Sequence, residues 1–248
     1  MNNLFLAACH RITTRVMLWQ IFGNLGLMGI AAATTAMPDS HIWELLITLL
    51  LLCSFVTGAV ALHTFIVRRL RQPDEGKPIW FGGLLLALWI AIYSLASYLL
   101  TPLNDRASQR ASYWNAMLGS HLRTIFTEAR LLNWQQNAFE YLMWIVLPAL
   151  FIPVVIETIT RGWSAHRNTS RILLRWQYWL TAILAYCVAQ GLGSLIDWHR
   201  PSNPTEEIVS VVLRLVVAYV ACAFLLTYVV ALTAELLARN QALRDSAA

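Results

Sequence analysis

The sequence predicts an all-α polytopic membrane protein, a six-transmembrane-helix bundle with an extracytoplasmic amphipathic helix between spans 3 and 4. Of the 248 residues, 58% are hydrophobic and 12% are charged, which is about half the charged share of a soluble domain. Long apolar runs recur along the chain, and the basic residues lie in short clusters between them. Because this is the pattern of membrane topology signals, we expect a single integral membrane domain over residues 1–248.

Six apolar runs have the length of about 20 residues that a helix needs to cross a bilayer. They are 16–37, 42–67, 79–101, 139–160, 173–196 and 208–237. The first run follows Arg11 and Arg15 and therefore resembles a signal peptide. It is longer than the roughly 7–15-residue apolar core of such peptides, so we interpret it as an uncleaved first span.

The basic residues predict the orientation of these spans. With the N-terminus inside, the cytoplasmic segments hold Arg11, Arg15, Arg68, Arg69, Arg71, Lys77, Arg161, Arg167, Arg171, Arg175, Arg239 and Arg244. The outer segments hold Arg106, Arg110, Arg123, Arg130 and Arg200. Since Lys and Arg are enriched in cytoplasmic loops, we expect a bacterial-type inner-membrane protein with both termini in the cytoplasm.

The longest connection between runs carries an amphipathic pattern over residues 109–135. Apolar side chains recur there at helical spacing, at Trp114, Leu118, Leu122, Ile125, Ala129 and Leu132. This period predicts a helix that lies on the outer membrane surface or caps the bundle. A gate over an outward cavity and a docking surface for a partner are the alternatives.

The last two runs carry the most specific polar pattern. Arg214 lies well inside the sixth run, where an arginine is costly unless it snorkels, pairs or faces water. Asp197 and Gln190 share one face of the fifth run, so we predict a structural pair of Arg214 with Asp197, or snorkelling. An outward-facing substrate or anion contact and a gating charge are alternatives. The substrate-binding residues would then be Arg214, Asp197, Gln190 and Glu44.

Two further local predictions concern helix ends and an ion pair. Asn203 is expected to cap the sixth span, with Pro204 first in the helix and Glu206 completing a capping box. Glu157 stands one turn before Arg161 near the end of the fourth run, and this spacing predicts an i,i+4 ion pair.

Cofactor chemistry has little support in the sequence. His63 is the one histidine within a span, and it is a possible axial ligand only to a haem or chlorin supplied by a larger complex. The four cysteines form no ligand spacing or disulfide framework. We therefore expect no cofactor and no metal, but we do expect bound lipid, and the charge pattern gives no nucleic-acid footprint.

Three function classes follow from these observations. The first is a non-enzymatic structural or accessory subunit that packs with other membrane-protein subunits or forms a homo-oligomer. The second is a small transporter or channel with an outward-facing polar site around Arg214 and Asp197. The third is a membrane enzyme or cofactor-binding subunit that uses outer carboxylates and His199. The sequence has no P-loop, GxSxG elbow or HExxH motif. These motifs are typical of P-loop NTPases, serine hydrolases and zinc proteases, so the sequence does not support those activities.

Overall fold

The computed structural model of the chain describes residues 2–38, 40–71, 79–163, 169–196 and 204–246. Helices make up the regular structure of these residues, and no strand occurs among them. The helices are α1 (Asn2–Arg11), α2 (Thr14–Ala36), α3 (Ile42–Arg71), α4 (Ile79–Asp105), α5 (Ala107–Met117), α6 (Ser120–Ile125), α7 (Glu128–Tyr141), α8 (Leu147–Arg161), α9 (Ser170–Leu173), α10 (Trp176–Ile196) and α11 (Pro204–Asp245). A π-helical turn, Leu142–Val146, joins α7 to α8.

Five helical segments of the described chain are long and apolar enough to cross a membrane. They are Thr14–Ala36, Ile42–Arg71, Trp80–Asp105, Glu128–Arg161 and Glu206–Ala242. The predicted fifth run forms α10, which has 21 residues but is not among these five. The six-span bundle therefore stays a prediction, whereas the all-helical fold with five apolar helices is observed.

By its internal contacts the chain divides into two compact units, residues 1–87 together with 152–248, and residues 88–151. In the first unit α2 and α3 form an antiparallel hairpin, in which the rings of Trp19 and Phe65 meet edge to face with centroids 5.7 Å apart. Close packing of this pair continues at Gly23, where an added Cβ would lie 2.7 Å from Leu62. Helix α11 packs on α1, α10, α3 and α2.

The core of the first unit lies towards one end of these helices. Its most deeply buried apolar side chains come from the second half of α3, from α8, from the start of α10 and from the second half of α11. They include Leu70, Ile159, Tyr178, Leu232 and Leu236. Helix α1 was not predicted from the sequence. It covers this end of the unit by packing on α11, and its Leu4 and Ala8 are buried.

The second unit contains most of α4, the helices α5 to α7, the π-helical turn and the start of α8. The phenol of Tyr93 donates to the carbonyl oxygen of Met143 at 3.1 Å, and its ring meets Phe151 edge to face. The turn precedes Pro148, which cannot donate a backbone hydrogen bond, and π-helical turns are one way in which helices absorb such an interruption. Helix α7, the π-helical turn and α8 form one continuous helical segment, Glu128–Arg161. It begins well before residue 139, the predicted start of the fourth span.

The segment 109–135 differs from the single amphipathic helix that the sequence predicts. It is helical, but breaks at Gly119 and at Thr127 divide it among α5, α6 and α7. Thr127 caps α7 by accepting a hydrogen bond from the backbone N–H of Arg130, and the amide of Asn115 donates to the carbonyl oxygen of Phe126 at 2.8 Å. These side-chain bonds to the backbone favour turns, which the hydrophobic period alone does not reveal. The extracytoplasmic position of the segment stays a prediction.

Candidate functional site

The predicted outward-facing site lies only partly within the described residues. Arg214 is half-buried on α11, and its Nε donates to the carbonyl oxygen of Ser210, one turn earlier, at 3.2 Å. Gln190 is exposed on α10. Asp197, His199 and the predicted capping residue Asn203 lie outside the described residues, so the Arg214–Asp197 pair stays a prediction. Helix α11 does begin at Pro204 as expected.

Glu44 caps the start of α3. It is buried, with 6% of its surface exposed. Its carboxylate accepts from the backbone N–H of His41 at 2.9 Å and from the hydroxyl of Ser40 at 2.8 Å. A glutamate at the third helical position that binds the capping residue's N–H is one half of a capping box. No hydrogen bond or ion pair of the described residues joins Glu44 to Gln190 or Arg214.

His63 is half-buried on α3, two turns before the helix ends at Arg71. It follows Leu62, which packs against Gly23 of α2, and it precedes the fully buried Thr64. Among the described residues, no group of three or more His, Cys, Asp and Glu side chains is placed to hold a metal ion. An axial-ligand role for His63 stays an alternative prediction.

The first unit contains a polar cluster that the sequence only partly predicts, centred on Glu157 of α8. This carboxylate is 2% exposed. Arg71, at the end of α3, donates from Nη2 to Oε1 of Glu157 at 3.2 Å. Arg161 places its Nε 3.6 Å from Oε2, which confirms the predicted i,i+4 pair. Two guanidinium groups therefore share one carboxylate in a region from which solvent is almost excluded.

A second carboxylate of the cluster is Glu235 on α11. Arg11, the last residue of α1, donates from Nε to Oε2 at 2.8 Å, and Arg239 donates from its Nε to Oε1 at 2.8 Å. Arg11 also donates from Nη1 to the carbonyl oxygen of Leu70 at 2.9 Å. One side chain thus ties α1 to both α11 and the last turn of α3.

Two amides of α11 extend the cluster to the neighbouring helices. Gln241 accepts from Arg71 at 3.3 Å and from Arg161, so it bridges the two arginines that flank Glu157. Asn240 accepts from Arg175, the residue before α10, at 2.5 Å. We call this set the arginine–glutamate network, and it consists of Arg11, Arg71, Glu157, Arg161, Arg175, Glu235, Arg239, Asn240 and Gln241.

The network joins helices that are far apart in sequence. Among the described residues, its five arginines lie with two carboxylates, those of Glu157 and Glu235. Burying an ion pair costs desolvation energy that only good geometry and further hydrogen bonds repay, and here the amides of α11 supply some of those bonds. The role that this arrangement can fill is structural, because its ion pairs and hydrogen bonds connect several helices at one end of the first unit.

The sequence contained part of the signal for this network. Glu235 lies on the same helical face as Leu232 and Tyr228, which marks it as directed towards the bundle. Arg11 and Glu235, however, are 224 residues apart, and nothing local to either residue identifies the other. All five arginines belong to segments that the charge count assigns to the cytoplasm. Their meeting at one end agrees with that assignment, and the side of the membrane stays a prediction.

Comparison of the chain with known proteins finds no match among protein families, curated sequences or solved structures. The class of the protein therefore follows from its own architecture. Five long apolar helices among the described residues indicate a membrane-embedded helical protein.

Proposed function

We propose that this protein is a non-enzymatic subunit of a membrane assembly, either a homo-oligomer or a complex with other membrane proteins. The observation that carries the proposal is the exposure of the first half of α11. Every residue from 208 to 217 is exposed except the half-buried Arg214. Ten residues make nearly three helical turns, so the exposed positions cover the whole circumference of the helix.

The neighbouring helix α10 shows the same exposure near its C-terminal end. Gln190, Gly191 and Ser194 are exposed there, although such small and polar residues normally lie at helix–helix contacts in membranes, where they permit close approach and hydrogen bonding. A polar side chain that faces lipid is costly. Contact with another protein chain would cover these groups and would also surround the first half of α11.

The contrast between the two ends of the first unit supports this interpretation. At the end that holds the arginine–glutamate network, the residues of α11 from 231 to 234 are all buried and the polar groups bind one another. Among the described residues, the first half of α11 has no such packed environment. One chain therefore completes one end of its bundle, and we infer that a second chain packs at the other.

Tryptophan substitution along residues 208–217 tests the proposal. We expect a subset of positions that repeats every three or four residues to disrupt the assembly in a gentle detergent, while the remaining positions tolerate the larger ring. Matched substitutions at Tyr98 and Leu99 in α4, which are 75% and 65% exposed, should leave the assembly intact.

Tolerance of tryptophan at every one of these positions would contradict the proposal. The transporter alternative would gain support if, in addition, a membrane-impermeant maleimide labelled Gln190→Cys in intact cells, in a variant whose four native cysteines are replaced by serine, since a water-filled cavity would then reach that depth.

A further inference from the structure

An apolar groove lies between α2 and α3 in the first unit. It encloses about 460 Å³, within the range of small-molecule sites. Trp19, Gly23 and Gly26 line one side of the groove, and Gly58, Leu62 and Phe65 line the other. Gly26 faces the open space of this groove. A Cβ added at Gly26 would meet nothing within 4 Å.

The length of the groove matches one leaflet of a bilayer. Its lining on α2 extends from Trp19 to Ile30, a rise of roughly 16 Å at 1.5 Å per residue. The hydrocarbon core of a bilayer is about 30 Å thick. A straight apolar chain that entered at the Trp19 end would therefore end near the middle of the membrane.

Two exposed arginines stand at the Trp19 end of this groove. Arg15 precedes Trp19 by one turn on α2, and Arg69 follows Phe65 by one turn on α3. Since Trp19 and Phe65 are in ring contact and the helices are antiparallel, both arginines extend the lining of the groove beyond the same end. The guanidinium carbon of Arg69 lies 5.3 Å from the centre of the Phe65 ring, a cation–π distance.

These two arginines differ from those of the arginine–glutamate network. Arg11, Arg71, Arg161 and Arg239 each lie within 4.0 Å of a carboxylate. Among the described residues, no acidic side chain forms an ion pair with Arg15 or Arg69. Their positive charge is therefore available to an anion at the mouth of the groove.

We propose that this groove binds an anionic glycerophospholipid, with one acyl chain lying along α2 and α3 and the phosphate group between Arg15 and Arg69. Guanidinium groups bind phosphate oxygens through paired, charge-assisted hydrogen bonds, and basic sites between membrane helices on the cytoplasmic side recognise anionic head groups. A symmetric contact with a second copy would instead bring the same arginines of both chains together, which is unfavourable. The inference is independent of the proposed assembly.

The test measures retention of lipid on the purified full-length chain by native mass spectrometry. The probes are phosphatidylglycerol and phosphatidylcholine with identical acyl chains. We expect phosphatidylglycerol to be retained in preference, by on the order of tenfold. The double variant Arg15→Gln, Arg69→Gln should lose this preference but still retain some of either lipid, because the apolar groove is unchanged.

A second pair of variants separates the groove from the charge. Gly26→Leu fills the groove and should reduce retention of both lipids. Gly29→Leu is its matched control, because a Cβ at Gly29 also meets nothing within 4 Å but Gly29 does not line the groove. Arg171→Gln is the control for charge, since Arg171 is exposed on α9, away from the groove.

Equal retention of the two lipids by the wild-type chain would overturn the proposal, as would an undiminished preference in the arginine double variant. It would also be overturned if Gly26→Leu changed the oligomeric mass of the protein and left lipid retention as it was. That result would assign the groove to a protein helix.

Discussion

Arg71 and Glu157 form a buried ion pair across 86 residues of sequence. Their side chains are 7% and 2% exposed, so the pair lies where water screens charge only weakly. An unpaired carboxylate or guanidinium buried at this position would be energetically costly. The guanidinium of Arg161 is the second group that pairs with the Glu157 carboxylate. The Arg71–Glu157 pair therefore joins the end of α3 to α8.

Removal of that carboxylate should destabilise the protein strongly. Glu157→Gln leaves Arg71 and Arg161 without their shared counter-charge, and losing one partner of a buried pair typically costs about 3–5 kcal/mol. Thermal unfolding in detergent measures the loss. Glu207→Gln is the control, because Glu207 is an exposed carboxylate on the first turn of α11. Equal unfolding temperatures for the two variants would show that the network does not brace the bundle.

Arg11 and Arg239 should contribute unequally to their shared carboxylate, Glu235. The Arg11 side chain is 18% exposed and that of Arg239 is 42% exposed, so solvent screens the second pair more. Double-mutant cycles with glutamine should give a coupling free energy of about 1–3 kcal/mol for Arg11 with Glu235. For Arg239 with Glu235, an i,i+4 pair, about 0.5 kcal/mol or less is expected. The reverse order would contradict the docking of α1 through Arg11.

A methyl group at Gly82 should destabilise the packing of α4 in the first unit. An added Cβ would lie 3.1 Å from the carbonyl oxygen of Ile159 and 3.0 Å from the methyl group of Thr64. Since the first contact is backbone, Gly82→Ala should cost about 1–3 kcal/mol through overpacking. Gly29→Ala is the control, because its Cβ has open space and alanine favours the helix. A Gly82→Ala protein as stable as wild type would show that α4 and α8 are further apart.

Arg214→Leu should weaken the assembly more than it weakens the individual chain. Arg214 lies within the exposed first half of α11, where we propose that another chain makes contact. We expect a shift towards the single chain in native mass spectra with little change in unfolding temperature, and Arg171→Leu should produce no such shift. A large loss of thermal stability without a change in mass would instead make Arg214 a structural residue within one chain.

The sequence predicts most of the helices, because span length and hydrophobic period are local properties. Runs 16–37, 42–67 and 79–101 correspond to α2, α3 and α4 with ends that differ by a few residues. The predicted single helix over 109–135 was wrong because capping by Thr127 and the break at Gly119 interrupt an otherwise regular apolar period. Helix α1 was missed because its apolar residues form one short run, residues 4–9, within a ten-residue segment, which is too short to show a helical period or to span a membrane.

The candidate site was less predictable, because it depends on contacts between distant segments. Glu157 with Arg161 follows from i,i+4 spacing, but Arg71 reaches the same carboxylate only through the packing of α3 on α8. Glu44 was predicted to belong to the outward site, which stays a prediction, and the structure shows its carboxylate capping α3. Arg15 and Arg69 stood out only as topology signals, since the groove between them depends on the register of α2 against α3.

The mass of the intact protein in a gentle detergent or a lipid nanodisc tests the proposed assembly most directly. One chain has a mass of 28.0 kDa. The proposal predicts a dominant species at a fixed multiple of this mass, or at this mass plus one partner in constant ratio, and dissociation when the exposed half of α11 is altered. A homogeneous species of 28.0 kDa that carries only lipid, under conditions that preserve other membrane complexes, would contradict it.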